Sequence, residues 1–467
     1  MYKEASDNRL KHMLQNFLTI NNNNPKYDVL KSQKMCGSQV MRTIGWKPAV
    51  YVISNDEHSK LFGNTHCHSA WCCPHCTPIV MAKYGERIAC AIDALSKRYD
   101  ELATMFTFTI PHTARMSAKD VFEILMATWR MFTRDGNRAF NKDTFTKKDG
   151  STSTYQKRLG PYGTMRNKLQ SKHNVRVYEA TWGENSWHFH IHMLIWFPRK
   201  NFYHCVDYEE ELLDRWWHCA QHQALKYFNN KHPEKKEENA KLVKELYADW
   251  RKYPKTGHRS FWISKDADGR PSVMKSSYYI SGWSGDFEMT HEHTKDARFK
   301  GHFSPHQLLI EADKAKHDGN KERYQKFMQL FTDFAIATKK KIRTQFSQSG
   351  INKIVQEWKK TETYYQTVKK KFMEEAQGKK PYKIVAWFTE QQWLDLFYFE
   401  THSKSSIIST ILELAILQKP LDIRRQLITE YLKLFDIDIS NNLVTNKQAL
   451  FVESKIFENK FQVGLGA

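Results

Sequence analysis

The pattern that decides the fold of this chain lies in residues 187–196, which read Trp187-His188-Phe189-His190-Ile191-His192-Met193-Leu194-Ile195-Trp196. Histidines alternate with apolar residues, and successive side chains of a β-strand point to opposite faces. The pattern predicts a strand with His188, His190 and His192 on one face. Neutral imidazole is a common ligand of divalent metals, so this face is a candidate metal site. The alternative is a polar strand face that merely contains many histidines.

A second strand is predicted directly before it, over residues 175–182, and turn-forming residues separate the two. If this hairpin closes with Gly183 opposite Ser186, Glu179 lies directly opposite His190 and within contact distance. A slip of one residue in the register would move Glu179 to the other face of the sheet. The hairpin therefore predicts that a carboxylate and several imidazoles share one patch.

The donor set of this patch indicates the ion. A carboxylate oxygen beside imidazole nitrogens suits Mg²⁺ or Mn²⁺. We predict that His190, His192 and Glu179 hold this metal, with His188 as a further candidate ligand.

Length and charge restrict the class of protein. A chain of 467 residues is too long for one ordinary core, so two or three domains are expected. Lys and Arg number 72 against 51 Asp and Glu, which gives a formal net charge of +21. A protein this basic favours a polyanionic partner, and nucleic acid is the first candidate. No signal peptide and no apolar run of ~18 residues are found. We therefore expect a cytoplasmic protein without a membrane partner.

A cysteine set precedes the histidine strand. Cys73 and Cys76 have the spacing of a two-thiolate knuckle, which binds one tetrahedral ion. With Cys67 and the upstream Cys36, they predict a structural Zn²⁺ site that staples a small module. A CxxC pair can also be a redox site, but no βαβ pattern surrounds this one. Four other side chains compete for the fourth ligand position: Cys72, His66, His68 and His75.

Two adjacent tyrosines, Tyr278 and Tyr279, follow the histidine strand. A phenol is a poor nucleophile near neutral pH, because its pKa is ~10. It becomes useful where a metal polarises a target phosphate and the phenol is held in line. Aromatic packing is the alternative role for such residues.

Five pieces of the chain, in the same order, resemble the plasmid rolling-circle replication initiator (Rep) proteins of the HUH endonuclease superfamily. The likeness covers about Cys36 to Ile351, and the histidine stretch is its most specific part. The five pieces are the cysteine stretch 67–76, the strand 106–112, the stretch 179–192, the segment around Tyr279, and residues 292–295 with 304–309.

The resemblance implies an α+β fold. Its expected centre is an HUH endonuclease core with an antiparallel sheet of the RRM or palm-like type. A small zinc-binding module would precede this core, and a helical C-terminal region would follow it. The expected segments are a leader over 1–34, the zinc module and connecting helix over 35–100, the HUH endonuclease domain over 101–315, and a helical accessory region over 316–467.

The resemblance also implies roles for single residues. His190 and His192 match the two metal-binding histidines, and Glu179 matches an acidic position near the metal. Tyr279 matches the nucleophile, with Tyr278 as the alternative. The lysine that the family usually has three residues after the tyrosine is replaced here by glycine.

The function expected from this resemblance is initiation of rolling-circle replication. The enzyme would be a site-specific single-strand DNA endonuclease and ligase. It would nick one strand of a plasmid or viral origin by metal-dependent tyrosine transesterification, leaving a 5′-phosphotyrosine and a 3′-OH primer. No GxxxxGK[ST] sequence is present, so no built-in helicase is expected.

The expected partners are origin DNA that is single-stranded at the nick site, a host helicase and polymerase, and a second copy of the chain in a homodimer. The sequence does not indicate which residues bind the DNA. The alternatives are an HUH-type transposase, a non-catalytic zinc-containing DNA-binding regulator, and an RNA-binding protein.

Overall fold

The computed structural model describes residues 3–21, 23–39, 49–55, 59–134, 143–146, 152–155, 160–183, 186–248, 260–274, 302–348, 350–364, 383–403, 406–417, 419–440 and 442. The fold is α+β with antiparallel sheets. Two compact units form: one comprises residues 1–83, 306–335 and 356–467, and the other comprises 84–305 and 336–355. We call them the cysteine unit and the histidine unit. The four segments expected from the sequence stay a prediction.

The strands are β1 (Ala49–Ser54), β2 (Ser59–Phe62), β3 (Glu101–Thr109), β4 (Asp143–Thr146), β5 (Thr152–Tyr155), β6 (Asn174–Gly183), β7 (Ser186–Pro198), β8 (Phe261–Ile263), β9 (Thr344–Phe346) and β10 (Lys383–Thr389). The helices are α1 (Lys3–Ile20), α2 (Lys31–Lys34), α3 (Cys76–Tyr99), α4 (Ala118–Arg134), α5 (Pro161–Lys168), α6 (Arg199–Phe202), α7 (Glu209–Lys231), α8 (Lys236–Ala248), α9 (Pro305–His317), α10 (Lys321–Thr338), α11 (Ile351–Lys359), α12 (Glu362–Tyr364), α13 (Glu390–His402), α14 (Ile407–Ala415) and α15 (Leu421–Lys433). Short 3₁₀ helices cover Pro25–Leu30, Tyr203–Tyr208 and Pro233–Lys235. Within these ranges, no helix combines the length and apolarity that a bilayer crossing requires.

The histidine unit is built on a five-stranded antiparallel sheet with the order β8-β3-β7-β6-β9. Helix α4 packs on one face, because alternate residues of the central strands are large and apolar. The ring of Phe108 lies 5.3 Å from Trp129 and 5.4 Å from Phe132, and Phe122 lies 4.9 Å from Phe189. This face forms the core, which leaves the histidines of β7 on the opposite face.

The sequence predicts a capping box at the start of α4, because Asp120 lies three residues after Ser117. The Ser117 hydroxyl accepts from the Asp120 amide at 3.2 Å, and the Asp120 carboxylate accepts from the Ser117 amide at 3.0 Å. These reciprocal bonds satisfy two amides that have no partner within the helix. The predicted capping box is therefore confirmed.

Residues 133–172 are polar and basic with several glycines, a composition that predicts a long insertion before the histidine hairpin. The structure instead forms the β4-β5 hairpin and helix α5 within this stretch. Pro161 explains the helix start, since its fixed φ suits the first helical position.

The cysteine unit contains a three-stranded antiparallel sheet with the order β10-β1-β2. Its core joins Val50 and Val52 of β1 and Phe388 of β10 to the apolar sides of α13, α14 and α15. The region 316–467 is predicted to be helical, and in its described part the strands β9 and β10 are the exceptions. The run Ile384–Phe388 is a short apolar stretch that suits a buried strand, and it pairs with β1.

Helix α1 lies within the segment predicted as a leader. Its buried side chains include Leu10, Leu14 and Phe17, and it packs against α13 and α14. The Asn16 amide donates to the Thr401 and Ser403 carbonyls at 3.1 and 3.2 Å. Helix α1 is thus part of the packed structure of the cysteine unit.

Candidate functional site

The histidine hairpin has the register predicted from sequence. Gly183 pairs with Ser186, and Glu179 pairs with His190. Ser186 takes a positive φ of 79°, and its hydroxyl donates to the Met116 carbonyl at 2.7 Å. That bond holds an unfavourable backbone angle at the turn. The turn therefore fixes which side chains of the two strands share a face.

Strand β3 completes the histidine face from the other side of β7. Thr107 pairs with His192 and Thr109 pairs with His190, so both threonines project to the same face as the imidazoles. Both threonines are buried, and the histidines are partly exposed. We call this surface the histidine face.

Glu179 contacts His192 rather than the directly opposite His190. Its Oε2 lies 3.0 Å from His192 Nε2, and both side chains are largely buried. A diagonal neighbour on a twisted sheet is within reach of a long side chain. Two adjacent ligands of an octahedral Mg²⁺ at ~2.1 Å lie about 3 Å apart. The contact therefore has the spacing of two adjacent ligands of such an ion.

A third group orients the imidazole of His192. The Thr107 hydroxyl lies 3.0 Å from His192 Nδ1. Metal-binding histidines commonly use the second ring nitrogen for such a bond, which fixes the ring and its tautomer. The bond leaves Nε2 directed at Glu179. Thr107 had no predicted role, although its position on the polar side of an alternating strand was visible in the sequence.

His190 does not converge with this pair. Its ring stacks on His192 with centroids 5.8 Å apart and planes 11° apart. Among the described residues, only the four cysteines described below form a group of three or more metal-ligating side chains with all ligand atoms within 4.8 Å. The structure thus places the three predicted ligands on one face and brings two of them together.

His188 has a partner that sequence reasoning missed. Its Nδ1 lies 2.6 Å from Nε2 of His112, which follows β3 by three residues. His188 also lies beside His190, with ring centroids 4.1 Å apart. His112 joins the histidine face because β3 pairs with β7, and this pairing of distant strands has no local sequence signal.

The predicted nucleophile, Tyr279, and its alternative, Tyr278, lie outside the described residues. Met274 before them and Phe303 after them both bond to the five-stranded sheet. The Met274 amide donates to the Ala103 carbonyl of β3 at 2.9 Å. Phe303 exchanges two backbone hydrogen bonds with Trp182 of β6, at 2.7 and 2.8 Å. Described residues on both sides of the two tyrosines therefore bond to this sheet.

Four thiols converge in the cysteine unit: Cys36, Cys67, Cys73 and Cys76. Their Sγ atoms lie 3.5 Å apart for Cys36 and Cys76, 3.6 Å for Cys67 and Cys76, and 3.7 Å for Cys73 and Cys36. Four sulfurs at 2.3 Å from a tetrahedral Zn²⁺ would lie about 3.8 Å apart. The cluster could hold a metal such as zinc, and the four residues are those predicted from sequence.

The backbone around this cluster also suits thiolates. The Cys76 amide donates to Cys73 Sγ at 3.4 Å. Hydrogen bonds from Cys67, Cys73 and Cys76 lower the pKa of the Cys36 thiol far below its ordinary value. Gly37 follows with a φ of +86°, a conformation that glycine adopts without strain. Glycine directly after Cys36 therefore suits the tight turn at this ligand.

Helix α1 holds the Cys36 turn in place. The side-chain amide of Gln15, which is fully buried, donates to the carbonyls of Gln33, Lys34 and Cys36 at 3.2, 2.9 and 3.0 Å. Trp393 Nε1 donates to the Gly37 carbonyl at 2.9 Å. The position of Cys36 in the cluster therefore depends on contacts from distant parts of the same unit.

A comparison of this chain with protein-family models, curated proteins and solved structures finds no match. The resemblance to rolling-circle initiators is therefore one of motifs alone.

Proposed function

We propose that this chain is a replication initiator with an HUH endonuclease core that nicks one strand of DNA. The single observation that carries the proposal is the contact between Glu179 and His192 on the histidine face. A carboxylate and an imidazole at 3.0 Å, with Thr107 behind the imidazole, form the start of a Mg²⁺ or Mn²⁺ site. A protein that only binds DNA has no need of this arrangement.

The metal would be held by Glu179, His192 and His190, with His188 as a further candidate ligand. It would supply neutralisation of the negative charge on the scissile phosphate. Thr107 keeps the His192 ring oriented during the reaction. The buried Glu179 side chain adds a negative charge, which offsets the charge of a divalent ion.

The proposed reaction is a transesterification. The phenolic oxygen of Tyr279, or of Tyr278, forms a bond to phosphorus and loses its proton. The bond from phosphorus to the 3′-oxygen breaks, and that oxygen takes up a proton to become a 3′-OH primer. The enzyme keeps the 5′-phosphate as a phosphotyrosine, so rejoining needs no ATP.

The remaining parts of the proposal follow from this chemistry. The DNA would be a plasmid or viral origin, single-stranded at the nick, and a host helicase and polymerase would extend the primer in the cytoplasm. The cysteine cluster would bind Zn²⁺ as a structural staple. A homodimer is a further proposal.

A second candidate function is a zinc-containing DNA-binding regulator without catalysis. The observation that favours it is that the four cysteines converge, whereas His190 stands apart from Glu179 and His192. The two candidates differ in whether DNA is cut.

The test is cleavage of pooled single-stranded oligonucleotides from the parent replicon, with Mn²⁺ or with EDTA. We expect cleavage that needs the metal and falls roughly 100-fold or more in His192→Ala and Glu179→Gln. His204→Ala is the matched control, because His204 is an exposed histidine that also contacts a carboxylate, at 3.2 Å. Tight DNA binding without cleavage would instead support the regulator.

A further inference from the structure

A basic cavity lies in the histidine unit on the sheet face opposite the histidines. It has a volume of about 1070 Å³ and is lined by residues of α4, α5, α7, β6 and β9. Arg176 of β6 lines it and pairs with Met193, whereas Glu179 pairs with His190 on the other face. The cavity is therefore separate from the proposed metal site.

The lining has charge of one sign. No aspartate or glutamate lines the cavity. Its cations are four arginines and two lysines: Arg130, Arg134, Arg166, Arg176, Lys172 and Lys226. These six side chains give a formal charge of +6. Guanidinium groups predominate, and their planar donors match phosphate oxygens in pairs. The lining therefore suits an anion that carries several phosphates.

These charges are not neutralised by the described residues. None of the described ion pairs includes any of the six side chains. Four of the six are exposed: Arg130, Arg134, Lys172 and Lys226. Beside the cavity, burial is the main cause that lowers the pKa of His173 to about 4, and the charges of Lys172 and Arg166 lower it further. The cavity thus keeps a positive potential that would attract an anion.

The two most buried cations are held in fixed positions. Arg166 donates to the Ser171 and Lys172 carbonyls, both at 3.2 Å. Arg176 lies 5.0 Å from the centre of the Trp129 ring and donates to Gln345. Its Nε is buried and has no hydrogen-bond partner among the described residues. Fixed guanidinium groups lose little entropy when a phosphate binds.

The aromatic residues of the cavity indicate which form of nucleic acid fits. Trp129 and Tyr162 are each only 3% exposed, and Arg176 and Arg166 lie over their rings. Proteins that bind unpaired strands use open aromatic rings on which bases stack. Covered rings under a layer of cations favour contact with the phosphate backbone, as in sequence-independent binding of a duplex.

We propose that this basic cavity binds the phosphate backbone of duplex DNA, separately from the histidine face. The inference rests on the proposed function for the choice of DNA as the polyanion. The cavity would hold the duplex that flanks the nicked strand, while the opposite face of the same sheet receives the unpaired strand.

The test is a fluorescence anisotropy titration of the full-length chain with labelled duplex DNA in EDTA, at several salt concentrations. The variant is Arg130→Ala/Arg134→Ala/Lys226→Ala, because all three side chains are exposed. The matched control is Lys236→Ala/Lys241→Ala/Lys244→Ala on α8, which removes the same charge from exposed positions outside the cavity. The single strand of the same sequence is titrated in parallel.

We expect the cavity variant to bind the duplex roughly 10-fold or more weakly than the control, with the salt slope reduced by about 2.7. The loss for the single strand should be smaller. The variant Arg130→Lys/Arg134→Lys keeps the charge at these two positions and should retain most of the wild-type duplex binding. If substitution at these positions instead disturbed the fold, this variant would lose binding as well.

Equal binding by the cavity variant and the control would overturn the inference, and so would a larger loss for the single strand. The proposed function fails separately. If the wild type forms no covalent protein–DNA adduct, yet the cavity variant loses duplex binding, the cavity site exists without nicking. If the wild type forms the adduct, yet the cavity variant and the control bind the duplex equally, the chain nicks DNA without this site.

Discussion

At the residue scale, the proposed metal site depends on how Glu179 is placed. The hairpin register puts Glu179 on the histidine face, and its contact with His192 fixes the direction of its carboxylate. Both groups are largely buried, so an ion that replaced their mutual contact would meet ligands already in position. His190 would have to rotate away from its stacked position to join them.

Glu179→Gln should weaken Mn²⁺ binding by roughly 10-fold or more, because a neutral amide replaces an anionic ligand. Electron paramagnetic resonance of free Mn²⁺ measures this in the zinc-loaded, full-length chain. Glu123→Gln is the control, since Glu123 is a partly exposed carboxylate on α4 that contacts Lys119 at 4.0 Å. Equal affinities in the two variants would remove Glu179 from the site.

Glu101 gives a prediction for pH. Its carboxyl group is largely buried, and this burial raises its pKa to about 7, although Lys172 opposes the shift. Because the folded state binds this proton more tightly than the unfolded state, the stabilisation is complete below pH ~4.5 and is lost as the pH rises through about 7. Glu101→Gln should remove this loss, on the order of 1–2 kcal/mol after allowance for partial exposure.

Urea unfolding of the wild type and of Glu101→Gln at pH 5 and pH 8 measures this difference. Glu123→Gln again serves as the control and should keep the wild-type dependence on pH. If Glu101→Gln lost as much stability between pH 5 and 8 as the wild type does, another group would be responsible.

At the element scale, features set by residues close in sequence were easier to predict than the pairing of distant strands. The hairpin register and the capping boxes at Ser117 and Thr389 were predictable because each depends on residues close in sequence. Strand β10 was not predicted, because its partner β1 lies more than 300 residues away in the chain. Two other features likewise depend on packing that no local pattern encodes. They are the contact of His112 with His188 and the stacked position of His190 beside His192.

The capping box of α13 gives a prediction at this scale. The Thr389 hydroxyl accepts from the Gln392 amide at 3.3 Å. Thr389→Ala should cost about 1 kcal/mol of local stability. Hydrogen–deuterium exchange in the first turn of α13 should then be roughly fivefold faster, with the first turn of α4 unchanged as an internal control. Unchanged exchange in α13 would show that the cap contributes little there.

The cysteine cluster predicts metal content. The purified chain should carry one zinc per molecule, and Cys73→Ser should lose most of it because three thiolates hold the ion less tightly than four. Inductively coupled plasma mass spectrometry measures the zinc. Cys205→Ser is the control, since Cys205 is also buried but lies outside the cluster. Equal zinc in both variants would contradict the predicted ligand set.

At the scale of the whole molecule, the net charge bears on the proposed partner. A net charge of +21 favours a polyanion, and we propose that this polyanion is DNA. In the histidine unit, the histidine face and the basic cavity lie on opposite faces of one sheet, and the apolar core lies on the same face as the cavity. In the proposed function, the histidine face would hold the divalent ion that assists cleavage of a DNA phosphodiester. The cations of the basic cavity would bind the phosphate backbone of the same DNA.

The measurement that tests the central claim most directly is covalent capture of DNA by the full-length chain. Single-stranded oligonucleotides from the parent replicon would be incubated with Mn²⁺ or EDTA, and adducts would be separated under denaturing conditions. The wild type would be compared with Tyr279→Phe and Tyr278→Phe. We predict an adduct that requires Mn²⁺ and is lost in Tyr279→Phe alone; loss in Tyr278→Phe alone would keep the chemistry and change the nucleophile. The absence of any adduct, despite tight DNA binding, would contradict the proposal that this chain nicks DNA.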